Sequence, residues 1–82
     1  MRILFKKNSI YGTLRVSEIS YFFYDNYGKI GFYETGESEG WWESTEPIST
    51  VEYNRYCSIL FANGNLDLSK TNLGFIWVDE DD

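Results

Sequence analysis

Two adjacent tryptophans, Trp41 and Trp42, stand among six glutamates (Glu34, Glu37, Glu39, Glu43, Glu46 and Glu52), and residues 34–54 hold no lysine or arginine. Paired carboxylates can cleave glycosidic bonds, one as acid and one as base or nucleophile. Glu37/Glu39 and Glu43/Glu46 match that chemistry only in residue type, because they fall in and beside a glycine-bounded loop, in a chain too short to build a sugar cleft around them. The chain has no histidine, so the commonest general base near neutral pH is missing. Its one cysteine, Cys57, falls within an apolar stripe, where a thiol acts as a small buried apolar group. No catalytic residues are expected.

Metal and cofactor chemistry fare no better. Asn63-x-Asn65-x-Asp67-x-Ser69 imitates the start of a calcium loop, but Leu68 stands where the sharp turn needs glycine and Gly74 where the bidentate glutamate belongs. Gly31-Phe32-Tyr33 and Gly74-Phe75-Ile76-Trp77-Val78 are loosely similar to the aromatic strands on which RNA bases stack, without the rest of that motif and in an acidic chain. Gly40-Trp41-Trp42-Glu43 is similar to the tryptophan pair of peptide-binding SH3-like barrels. From Ser44 to Tyr56, however, the pattern turns helical and nothing later matches, so no family is recognised. No metal or cofactor is expected.

The chain has 82 residues, 7 basic and 13 acidic side chains, a net charge of −6 and 16 aromatics. That is the size of one domain, 1–82, with a modest core. Charge is unevenly spread. Arg2, Lys6, Lys7 and Arg15 give residues 1–15 a charge of +4, and residues 16–82 carry −10, ending Asp79-Glu80-Asp81-Asp82. Such a field repels phosphate backbones and draws in basic surfaces, which argues against direct nucleic-acid binding. The longest apolar runs are far shorter than a membrane span, and the run at Ile3–Phe5 is too short for a signal-peptide core. With a lone cysteine besides, a cytoplasmic setting is expected.

The elements that would position these residues can be read from periodicity. Residues 2–7 form a short apolar run and 11–17 alternate, with Leu14 and Val16 on one side. Residues 18–24 are rich in strand formers, with Ile19, Tyr21 and Phe23 on one face and Ser20, Phe22 and Tyr24 on the other. Asp25-Asn26-Tyr27-Gly28 is turn chemistry, and it predicts a hairpin of 18–24 with 29–34. Trp41–Ser44 is a short strand. Ser49-Thr50-Val51-Glu52 reads as a capping box, with Tyr53, Tyr56, Cys57, Leu60 and Phe61 as one buried stripe and Asn63-Gly64 as the stop, giving a helix over about 50–62. Residues 65–72 read as turns, and Leu73–Val78 as a final strand. The order predicts an α+β fold: a small two-layer domain with a mostly antiparallel sheet of 4–6 strands and the helix packed on it.

In a strand, one of Trp41 and Trp42 faces in and the other out. The expected site is thus an exposed aromatic ringed by carboxylates: Tyr33, Glu34, Glu37, Glu39, Trp41, Trp42, Glu43 and Glu46. Its expected occupant is a partner protein with a basic surface, such as a nuclease or another nucleic-acid enzyme. Phage anti-defence proteins of the anti-CRISPR kind, nuclease immunity proteins and DNA mimics share this physical type, a likeness of type and not of motif. The alternative is a scaffold or assembly module that binds a peptide or itself through a sheet edge or the aromatic face of residues 21–24. Monomer and homodimer both remain open.

Overall fold

The computed structural model describes residues 1–9 and 11–81. Six strands and one helix follow in the order β1 (Arg2–Lys7), β2 (Thr13–Tyr24), β3 (Ile30–Glu34), β4 (Gly40–Ser44), α1 (Thr50–Asn63), β5 (Asn65–Asp67) and β6 (Gly74–Asp79). The expected two-layer sandwich is not what they build. Five strands close into a barrel, β1-β2-β3-β4-β6 and back to β1, and β5 is added to β1 outside that ring.

Two strands explain the closure. β2 is one twelve-residue strand, not two. Its first half pairs with β1, from Lys7↔Thr13 to Arg2↔Glu18, and its second half pairs with β3. β1 divides its other edge, running parallel to β5 through residues 2–4 and parallel to β6 through residues 6–7. β6 also pairs antiparallel with β4 along residues 75–79. Closing the ring removes edges that short strands would otherwise leave open. The stretch 65–72 is therefore not all turn, because Asn65–Asp67 is a strand beside β1.

The barrel interior is filled by aromatic side chains, as a small barrel must be. Phe5, Phe32 and Phe75 are fully buried with ring centroids 4.9–5.5 Å apart, and Trp42 lies 5.2 Å from Phe5. Ile3, Ile30 and Leu68 complete the fully buried apolar set.

The helix begins where the sequence places it. Ser49 Oγ accepts the Glu52 amide at 3.1 Å, but Glu52 does not complete a capping box, because its carboxylate binds Arg55 Nη2 at 2.6 Å. Gly64, in the left-handed conformation, ends it and donates to the Leu60 carbonyl. Tyr56 and Leu60 are buried, and Tyr53 stacks on Phe22 and Tyr24 at 5.5 and 4.8 Å. Phe61 departs from the expected stripe and is 95 % exposed.

A β-bulge between Ile19 and Tyr21 corrects the expected faces of β2. An extra residue in one strand moves every later side chain to the opposite face. Ile19 therefore faces the core together with Phe22 and Tyr24, and Tyr21 and Phe23 turn to the outside. Before the bulge, Leu14 and Val16 face outward and Arg15 reaches over the Trp42 ring at 5.8 Å.

Candidate interaction site

The bulge assembles an aromatic surface on the outer face of the barrel. Tyr21 and Phe23 of β2 lie 6.1 Å apart, and Tyr33 of β3 lies 6.1 and 5.7 Å from them. Trp41 of β4 continues the row 5.7 Å from Tyr33. On β6, Val78 pairs with Trp41, and Ile76, 40 % exposed, pairs with Glu43. Tyr21 is 59 % exposed. This face thus runs unbroken across four strands. Gly31 makes it possible: paired with Phe23, it leaves room for that ring to lie across β3.

Carboxylates close both ends of the aromatic row. At one end Asp25, in the turn after β2, and Glu43 of β4 line the same dish. Asp25 Oδ1 is fixed by the amides of Tyr27 and Lys29, at 2.8 and 2.9 Å, where it holds the β2–β3 turn. Partial burial first, and then the neighbouring Asp25 carboxyl, push Glu43 above the ordinary carboxylate range, only partly offset by Lys29 and Trp41. Trp41 Nε1 is enclosed and meets no acceptor at hydrogen-bonding geometry. A dish of about 470 Å³, lined by Tyr21, Phe23, Tyr24, Asp25, Asn26, Tyr33, Trp41 and Glu43, opens here.

At the other end, β4–β6 pairing brings two acidic segments together. Gly40 pairs with Asp79, and the Glu80 amide donates to the Glu39 carbonyl at 2.8 Å. Glu37, Glu39, Asp79, Glu80 and Asp81 therefore share one end of the barrel, all exposed. Nothing in the sequence spacing links the terminal run to the 35–39 loop, and only the strand pairing does. Asp82 lies outside the described residues.

Of the residues expected in the site, Tyr33, Trp41 and Glu43 meet on the outer face, with Glu37 and Glu39 in the exposed turn beside it. Trp42 is 5 % exposed and belongs to the core. Glu34 turns the same way: it accepts the Trp42 indole N–H and pairs with Arg15 Nη2 at 3.1 Å, so its charge is already answered. Glu46 lies beyond the end of β4, where its carbonyl accepts from Ser44 Oγ at 2.9 Å. The expected carboxylate-ringed site did not include Asp25, and it left Phe23 to the alternative's aromatic face of residues 21–24. Asp25 was visible as turn chemistry, whereas Phe23 depended on the bulge.

Elsewhere, Cys57 is half-buried and its neighbour Tyr53 is pushed up to about 12 by burial and by the adjacent thiol. Asp67 in the supposed calcium loop accepts the Ser69 amide at 2.9 Å, which is local turn bonding. Among the described residues no group of three or more Cys, Asp or Glu is arranged to hold a metal ion, and no helix is long and apolar enough to cross a membrane. The sequence matches no family profile and no curated protein, and the fold matches no solved structure.

Proposed function

We propose that the protein is a small acidic binding module that occupies a basic surface of a partner protein, of the kind that handles nucleic acid, and blocks it without catalysis. The observation that carries this reading is the aromatic row Tyr21–Phe23–Tyr33–Trp41, half-open to solvent and bounded by carboxylates at both ends. Exposed aromatic surface supplies buried area at little entropic cost, and surrounding carboxylates steer cationic surfaces and stand in for phosphates. The net charge of −6 works in the same direction at long range. The reading puts the encounter in a cytosol, where an unpaired thiol such as Cys57 stays reduced.

The test is affinity capture from the producing or host cell with three baits: the wild-type chain, Trp41→Ala, and Glu37→Gln/Glu39→Gln/Glu43→Gln. A nucleic-acid enzyme held by the first bait, weakened on both others, and released between about 0.1 M and about 1 M salt supports the reading. A partner that ignores salt and all four substitutions overturns it.

A second reading has its own observation. Phe61 projects from α1 beside Met1, Tyr21 and Cys57, around a separate groove of about 250 Å³. A solvent-facing phenylalanine next to other apolar side chains is a site for self-assembly. Sedimentation of wild type against Phe61→Ser distinguishes the two: a dimer lost on substitution favours assembly, and a monomer at high concentration favours the blocking module.

A further inference from the structure

We infer that the dish between Phe23, Tyr33, Trp41 and the Asp25–Glu43 carboxyls receives a single arginine side chain of the partner protein. The inference rests on the proposed function and names what the aromatic face reads. Two observations support it. First, two carboxyl groups, Asp25 and Glu43, line one dish, and Asp25 is fixed there by the turn amides of Tyr27 and Lys29, so it cannot swing away freely. Like charges kept together in a partly dehydrated place are costly, and a cation between them removes that cost. Second, the walls are aromatic faces, to which a flat guanidinium is attracted through its own face while its edge reaches carboxylate oxygens. Lysine, a compact and strongly hydrated ammonium, can meet the charges but not the stacking.

The groups facing Glu43 are Asp25, Lys29, Trp41 and the phenols of Tyr24 and Tyr33. Of these only Lys29 is cationic. It reduces the upward shift of Glu43 without cancelling it, so a further cation beside the two carboxyls is still favoured. Arginine binding favours the ionised form of Glu43, so affinity falls as pH drops through the titration of that carboxyl.

The test uses the intact chain and three capped tripeptides, acetyl-Gly-X-Gly-amide with X as arginine, lysine or citrulline, together with oligolysine and oligoarginine, all followed by amide and indole NMR shifts. The arginine peptide is expected to move the Trp41 indole and the Gly31 and Glu43 amides, about fivefold more tightly than lysine, with citrulline inert. Glu43→Gln is expected to weaken it about tenfold and to abolish its pH dependence, whereas Glu80→Gln changes it less than about twofold. If arginine and lysine bind alike and Glu43→Gln has no effect, while the oligocations still shift the outer face, the arginine pocket is wrong and the basic-surface reading stands. If no cationic peptide shifts this face at low salt, both fall.

Discussion

The ring of Phe23 occupies the space in which a side chain on Gly31 would stand. A β-carbon there would meet Phe23 Cζ at 2.4 Å and the Trp42 carbonyl oxygen at 2.8 Å. The ring could swing away, but the carbonyl belongs to the neighbouring strand and cannot. Gly31→Ala should therefore cost about 1–3 kcal/mol, the usual penalty for overpacking. In a chain of this length that is a drop of about 4–8 °C in Tm per kcal/mol. It should also displace Phe23 and so weaken partner binding. Thermal melts beside binding titrations check both effects.

Glu34 holds together groups that would otherwise be stranded. Its carboxylate takes both the Trp42 indole N–H and the Arg15 guanidinium, and it is itself only 19 % exposed. Glu34→Ala should cost about 1–3 kcal/mol, because a covered donor then has no acceptor. Glu34→Gln, which keeps an oxygen for Trp42, should cost less. Arg15→Ala, losing a partner that is 43 % exposed, should cost under about 1 kcal/mol. Urea denaturation of the three variants ranks them directly.

Glu43 gives stability a pH dependence of definite sign. Its carboxyl binds a proton more tightly in the folded chain than in the unfolded one, where the ordinary value is 4.5. Protonation therefore favours the fold below that value, and the advantage is lost as pH rises through the raised pKa. At pH 7 the ionised group is a liability. Glu43→Gln should raise Tm at pH 7 by less than about 4–8 °C, given a partly solvated pair worth under about 1 kcal/mol. The gap between variant and wild type should close below pH 4.5. A variant no more stable than wild type at pH 7 would contradict the assignment.

The two tryptophans should separate stability from binding. Trp42 packs against Phe5 and Trp77 inside the barrel, so Trp42→Ala should cost about 3–5 kcal/mol. Trp41 touches Tyr33 on the outer face, and its loss should cost far less stability while speeding release of a bound partner. Denaturation midpoints and dissociation rates together give the comparison.

What could be read in advance was whatever depends on neighbours in sequence. Ser49 with Gly64 framed the helix, and Asp25 to Gly28 framed the hairpin, because caps and turns are made by residues a few positions apart. The closure of the barrel depends on Lys6 meeting Gly74 and on β2 serving two partners, and neither leaves a mark on periodicity. Alternation likewise carried Tyr21 and Phe23 to the wrong face, since one extra residue after Ile19 reverses the phase. The site followed suit. Tyr33, Trp41 and Glu43 lie on regular strands and could be found, whereas Phe23 waited on the bulge and the terminal acids on the Gly40–Asp79 pairing.

The shared edge of β1 has a consequence for how the chain comes off the ribosome. Of the strands in the ring, β1 emerges before the others, yet the strand that seals it, β6, emerges after them. Until Gly74–Asp79 emerge, Phe5, Phe32 and Trp42 lack their Phe75 and Trp77 lid. Pairing of such distant segments is slow, in the millisecond-to-second class of β-rich folds. The barrel therefore cannot close before β6 has emerged, and until then the strands already made carry an unfinished, sticky interior.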